Sequence, residues 1–237
     1  MKPPFISIII PTLNEEKYIE NTLKAIRGQD YKGRYEVIVA DAKSNDSTLR
    51  IAKKYADKVV SVKKKGIGAG RNAGVRHAKG GILLFLDADT IPSKNLLSSL
   101  AATFMNKEIV GATCKILPNT SDKSIKTVYK LFNKFMKLTI KMNKASIAGV
   151  CCSYRKGIFK DLGGFNENLS TYEDVDLSLR ANKLGKIAML PHSFVLTSSR
   201  RFEKWGVGRS FISYLFNFTK FYLVGRGFSS KYYKPIR

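Results

Sequence analysis

A chain of 237 residues, 44% hydrophobic and 25% charged, can bury one large core and has an ordinary globular composition, which excludes a disordered or fibrous protein. Forty-two Lys and Arg against 18 Asp and Glu give a formal net charge of +24, which favours polyanionic partners (nucleic acid, anionic lipid or phosphorylated substrate) without choosing among them. Cys114, Cys151 and Cys152, with no Cys-x-x-Cys spacing, fit neither a disulfide framework nor a zinc site and read as buried small hydrophobes in a reducing compartment.

Residues 1–5 lead straight into a short apolar run that breaks at Pro11, so neither a signal peptide nor a membrane span is expected there. Residues 5–10, rich in β-branched side chains, predict a first buried strand ended by Pro11. Thr12-Leu13-Asn14-Glu15-Glu16 then supplies a cap and acids for a helix with the stripe Ile19, Leu23, Ile26. The unit repeats: a strand over 35–40 closing at Asp41, a helix opened by residues 44–48 and running through Tyr55, and a third strand over 59–62. Residues 66–74 are glycine-rich. They come too late in the chain for a dinucleotide fingerprint, and read instead as a flexible loop presenting Arg71 to a phosphate or ribose, or as a cap, before the next helix.

Gly80-Gly81 precede a wholly apolar run over 82–86, a strand buried on both faces of a parallel sheet. It stops on Asp87-Ala88-Asp89. Two carboxylates two residues apart point the same way on an extended backbone, and past a strand end they can converge on one hard cation, which would seek phosphate oxygens; a solvated turn is the alternative. Four strands alternating with helices imply a mostly parallel sheet with right-handed crossovers.

A helix over 93–104 and a strand over 110–116 follow. Lys123, Lys126, Lys130, Lys134, Lys137, Lys141 and Lys144 then recur at the period of one helix face, with Ile125, Val128, Leu131, Phe132, Phe135, Leu138 and Met142 among the opposite positions. Such a helix either lies on an anionic membrane or packs its apolar face on the core with its lysines in water. Residues 146–154 predict a strand, and 155–162 a helix stopped by Gly163-Gly164. Glu173, Asp174 and Asp176 start an acidic helix whose body runs over 179–184; three acids there also complement a helix dipole. Short strands are expected over 187–190 and 194–197, around Pro191-His192. The aromatic segment over 211–224, backed by Arg226, Lys231, Lys234 and Arg237, suits a membrane interface or a helix packed on its own protein.

Pro11-Thr12-Leu13-Asn14-Glu15, Asp41, Gly70-Arg71-Asn72-x-Gly74, Asp87-Ala88-Asp89, Gly163-Gly164-Phe165 and Glu173-Asp174, in this order, resemble the family 2 glycosyltransferases of the GT-A fold, over about residues 6–190. The resemblance implies an α/β fold: a Rossmann-like, mostly parallel sheet flanked by helices. A GT-A domain would occupy 1–198, with a nucleotide-sugar half to about 117 and an acceptor half to about 198, before a basic aromatic helical tail over 199–237. It further implies an inverting transferase that depends on a nucleotide sugar and on Mn²⁺ or Mg²⁺. Pro11, Thr12, Asn14, Glu15, Asp41, Arg71, Asp87 and Ala88 would bind the nucleotide sugar. Asp89 would be the direct metal ligand, with Asp87 near ribose or metal and His192 either a third ligand or structural. Asp174 would be the general base, with Glu173 and Asp176 as alternatives, and Gly164 and Glu173 would lie on the acceptor side.

The Gln-x-x-Arg-Trp signature of processive synthases is missing; residues 199–205 read Ser-Arg-Arg-Phe-Glu-Lys-Trp, which favours transfer of a single sugar. Arg200 and Arg201 there would bind a donor diphosphate or phosphorylated acceptor, or form a solvated basic turn. The expected partners are a UDP- or GDP-type donor, a glycan or lipid-linked acceptor and an anionic membrane surface, with the chain cytoplasmic and peripheral on the inner face. Two other classes remain in view. A basic nucleic-acid-binding protein would need a recognisable module, which is lacking, and a sugar-phosphate nucleotidyltransferase would need a glycine-rich basic loop where this chain has Pro11 to Glu15.

Overall fold

The computed structural model describes residues 2–64, 66–210, 212, 213, 216 and 221. Their elements run β1 (Ile6–Thr12), α1 (Ile19–Arg27), β2 (Tyr35–Asp41), α2 (Thr48–Tyr55), β3 (Lys58–Ser61), α3 (Ile67–Val75), β4 (Ile82–Leu86), β5 (Thr90–Pro92) and α4 (Leu96–Thr103). They continue with β6 (Ile109–Pro118), α5 (Lys123–Lys141), β7 (Cys151–Arg155), α6 (Lys156–Asp161), α7 (Glu173–Asn182), β8 (Lys186–Thr197) and α8 (Arg200–Trp205). The strands form one sheet in the order β3-β2-β1-β4-β7-β6-β8-β5. β3, β2, β1 and β4 are mutually parallel; β7 runs antiparallel to β4 and β6, β8 is parallel to β6, and β5 closes the edge antiparallel to β8.

Side-chain alternation along β1 builds the two cores. Ile6, Ile8 and Ile10 face one side with Leu23 of α1, Ile51 of α2, Leu100 of α4 and Met136 of α5; Ile9 faces the other with Phe85, Val75 of α3, Phe159 of α6 and Leu177 of α7. The result is a sheet with helices on both faces. From β1 the chain moves outward to β2 and β3, then returns to the far side of β1 as β4. The carboxyl ends of β1, β2 and β4 therefore meet at the topological switch point, where ligands of open α/β sheets sit.

Several expectations are revised. Pro11 does not end β1, which runs on to Thr12. The Thr12 carbonyl accepts from Ala42 on the β2 side, so Pro11, one residue earlier, turns its missing N–H towards β4, where pairing has already stopped at Ile9. The glycine-rich stretch is not a flexible loop before a helix; it is α3 itself. Gly70 and Gly74 lie one turn apart on the face against β1, and a Cβ added at Gly74 would stand 2.4 Å from Ile9 Cγ2. Glycine lets this helix lie closer to the sheet than alanine would. The expected strand over 146–154 begins only at Cys151. β8 is continuous from Lys186 to Thr197, with a register shift opposite Thr113 and Lys115 where two strands were expected.

All three cysteines are buried and unbonded, with the Cys114 and Cys151 sulfurs 3.6 Å apart. The aromatic segment over 211–224 lies outside the described residues apart from Ile212, Ser213, Phe216 and Phe221, as do Arg226, Lys231, Lys234 and Arg237. Among the described residues no helix is long and apolar enough to cross a membrane.

Candidate active site

The loops after β1 and β2 are stitched together by short polar side chains. Thr12 Oγ1 donates to Asp41 Oδ1 at 2.9 Å, and Ser44 donates to the same carboxylate through its N–H (2.9 Å) and its hydroxyl (2.5 Å). Asn14, in the left-handed region at φ 56°, donates its N–H to Ser44 Oγ and accepts from the Asn45 N–H through Oδ1; the Glu15 N–H donates to Thr48 Oγ1. Pro11, Thr12, Asn14, Glu15 and Asp41 are thus brought to one rim. Ser44 and Thr48 hold that rim in shape. Sequence reasoning assigns them only to the opening of a helix.

Beneath the end of β4 lies a buried charge network. Arg71, on α3, is 1% exposed and is reached by neither rim nor solvent. Its Nη2 donates to Asp87 Oδ1 (3.0 Å) and to the Gly149 carbonyl (2.9 Å), its Nη1 donates to Glu173 Oε1 (2.8 Å), and its guanidinium lies over the Phe165 ring at 5.2 Å. The expectation of an arginine displayed on a flexible loop is therefore corrected: Arg71 is an interior cation that joins the Asp-x-Asp strand end to the start of α7. Gly149 fits because a Cβ there would stand 2.4–2.8 Å from the guanidinium. The Gly149 N–H in turn donates to Asp174 Oδ2 at 2.5 Å. The backbone of one residue, through its carbonyl and its N–H, thus ties Arg71 to Asp174.

The carboxylates respond to this burial. Desolvation, and then the neighbouring Asp174 charge, raise Glu173 against the pull of Arg71. Burial likewise raises Asp174, while Arg71 and the two N–H groups on its oxygens, from Gly149 and Val175, oppose the shift. Asp176 is not part of the network; it pairs with Arg180 at 2.6 Å along its own helix. Gly164, at φ 76°, serves packing: a Cβ there would stand 2.7 Å from Asn72 Oδ1, which itself accepts from the Phe165 N–H.

Asp89 stands on the other side of the Asp-x-Asp turn, 13% exposed. Arg200, the first residue of α8, forms a two-armed pair with Glu15 (2.7 and 2.8 Å), reaches to 3.3 Å from Asp89 Oδ2, and stacks over the Tyr18 ring. Arg200 is therefore no solvated turn residue. Burial and then the Asp87 charge push Asp89 up to about 6, with Arg200 working in the opposite direction. A cavity of about 210 Å³ opens beside it, lined by Tyr18, Asn21, Asn119, Ser198 and Glu203 among others. His192 does not join this group. It sits exposed in the left-handed region (φ 58°) at the β8 irregularity, with its carbonyl accepting from Asn95. The residue beside Asp89 is Ser198, just past the end of β8, whose N–H donates to the Asp89 carbonyl at 3.2 Å. Six residues of extended chain separate it from His192, roughly 20 Å.

Among the described residues no three acid, histidine or cysteine groups converge closely enough to cage a metal by themselves. Asp87, Asp89 and Glu15 nonetheless supply hard oxygens, and the Asp87 charge adds to burial in raising Asp89. That donor set fits a divalent cation of the Mg²⁺ or Mn²⁺ type, which commonly takes one or two carboxylates and completes its shell from phosphate and water.

The fold is that of the GT-A transferases, and the family model "Glycosyl transferase family 2" matches residues 7–163. The chain belongs to that family. Over 205 residues it is 29% identical to glycosyltransferase AglE of Haloferax volcanii, covering 81% of this chain and 66% of AglE. The structure of Staphylococcus aureus TarS 1–349 in complex with UDP superposes with a TM-score of 0.66 at 27% identity, covering 86% of this chain and 63% of that one. The mannosyltransferase PcManGT of Pyrobaculum calidifontis, crystallised with GDP-Man and Mn²⁺, shares the fold at a TM-score of 0.69 and 21% identity, covering 86% of this chain and 60% of that one. The chain thus spans less than two thirds of these relatives' lengths.

Proposed function

We propose that this chain is an inverting glycosyltransferase that moves a single sugar from a UDP- or GDP-type donor to a hydroxyl of a glycan or lipid-linked acceptor. One observation carries the reading: Asp87, from the parallel half, and Asp174, from the mixed half, are held by the same buried frame of Arg71 and Gly149. A donor-side carboxylate and a candidate base are thereby fixed relative to one another, as a displacement at one carbon requires. The complexes of TarS with UDP and of PcManGT with GDP-Man and Mn²⁺ support the donor class and the divalent cation.

In this reading the rim of Pro11, Thr12, Asn14 and Asp41 receives the base and ribose, with Ala88 and Asp87 beneath the sugar-bearing end. Asp89, with Asp87, would hold the cation, whose charge offsets that developing on the departing diphosphate. Asp174 takes the proton of the acceptor hydroxyl as the oxygen attacks the anomeric carbon; the bond from that carbon to the diphosphate oxygen breaks, and its electron pair leaves with the diphosphate. Attack from the opposite face inverts the centre without a covalent intermediate. Burial of Asp174 suits it to the task, because a raised pKa makes its carboxylate a stronger base. Three free, buried thiols accord with a cytoplasmic setting.

The test is Asp174→Asn. Donor binding, followed by calorimetry, should stay within about twofold of wild type, while sugar transfer and nucleotide release fall by at least about a hundredfold. Retained turnover would remove Asp174 from the role of base.

A further inference from the structure

On α5 the structure resolves the lysine helix into three faces. At 3.6 residues per turn, the core face of Ile125, Met136 and Thr139 is followed round the helix by a ridge of Leu131, Leu138 and Met142, and then by a strip of Lys123, Lys126, Lys130, Lys134, Lys137 and Lys141. The expected apolar stripe is therefore split. Ile125 enters the core, whereas Leu131, Leu138 and Met142 are 54%, 54% and 56% exposed within a sector of about 40°. α5 carries no acidic residue to neutralise the strip.

We infer that this face of α5 is a docking surface for an anionic lipid bilayer, with the ridge among the acyl chains and the lysine strip at the headgroups. Charge complementarity selects the occupant. A second copy of the chain on a two-fold axis would set lysine strip against lysine strip. Nucleic acid would accept the lysines but offers no apolar phase to the ridge. A bilayer interface satisfies both at once. The surface is also joined to the site: Tyr129, on the inner side of α5, packs on Phe202 of α8 with ring centroids 5.6 Å apart, and α8 carries Arg200 to Glu15 and Asp89. Docking through α5 thus holds the Asp89 side of the cleft near the lipid, where a lipid-linked acceptor would be presented. The docking itself does not depend on the catalytic reading.

The experiment is co-sedimentation of the full chain with vesicles of phosphatidylcholine alone or mixed with phosphatidylglycerol, at low and high salt. Wild type should bind the anionic vesicles at least about tenfold more tightly than the neutral ones, and lose that margin in high salt. The triple variant Lys134→Gln, Lys137→Gln, Lys141→Gln should weaken anionic binding by about a hundredfold. Leu131→Ser with Leu138→Ser should also weaken it, leaving a residue that salt abolishes. Both variants change exposed side chains, and an unchanged melting temperature verifies the fold. Equal binding to both vesicle types, no binding at low salt, or wild-type binding by both variants would overturn the proposal. So would a dimer in light scattering that Leu138→Ser dissolves while vesicles bind nothing, which would assign the ridge to a second copy.

Discussion

Arg71 has a full charge in the interior, between a strand end, a loop carbonyl and a helix start. Its value lies in what it neutralises: without it, Glu173 and Asp87 would face each other with no interior counter-charge. Arg71→Met should therefore cost about 3–5 kcal/mol in urea unfolding, the usual penalty for stranding a buried charge. Asp174 carries the second residue-scale prediction. As the proposed base, Asp174 with its raised pKa is protonated at a higher pH than an ordinary aspartate, so transfer should require a pH above that raised value. A kcat/KM profile should fall tenfold per pH unit on its acid side, with a midpoint above the ordinary 3.8. The same shift acts on stability with the opposite sense. The folded state binds this proton more tightly than the unfolded chain, so this contribution to stability diminishes as pH rises from 3.8 through the folded value.

At the scale of elements, α3 is the case where packing overrides composition. A helix with glycine at 68, 70 and 74 is intrinsically weak, and it forms because its glycines allow contact with β1. Gly74→Ala improves propensity yet should destabilise by about 1–3 kcal/mol, since its Cβ collides with Ile9 in the middle of the sheet; thermal unfolding measures the sign. This is also why the stretch reads as a loop from sequence. Periodicity found the other strands and helices of the first half, because each hides an apolar face of regular spacing. It missed β5, which is only three residues long, whereas the six residues of α8 fall within the helical tail expected over 199–237. The site divides in the same way. Asp87, Asp89 and Asp174 were legible as carboxylates at element ends. The Gly149 backbone that joins Asp174 to Arg71 was not, since bonds made across 25 and 78 residues leave no local pattern. His192 failed for a related reason: a strand irregularity that turns a residue outward is set by register with β6, which the sequence does not display.

For the whole molecule, the two halves of the sheet divide the work: a parallel half ends in the proposed donor rim, and a mixed half supplies α7 and its carboxylates. Six lysines of the chain's net +24 line one face of α5. At the rim itself, Arg200 is the cation that Asp89 and Glu15 share. The central claim is that this rim binds a nucleoside diphosphate together with a divalent cation through Asp89. The measurement that tests it most directly is the melting temperature of wild type and Asp89→Asn with UDP, GDP and their sugar conjugates, each with and without Mn²⁺. A ligand bound only by the folded state raises that temperature, by about 2.7 kcal/mol of stabilisation at a hundredfold excess over Kd. The temperature should rise for one nucleotide class only in the presence of Mn²⁺, and the rise should be lost in Asp89→Asn. An equal rise in the variant, or no rise with any nucleotide in the presence of Mn²⁺, would contradict it.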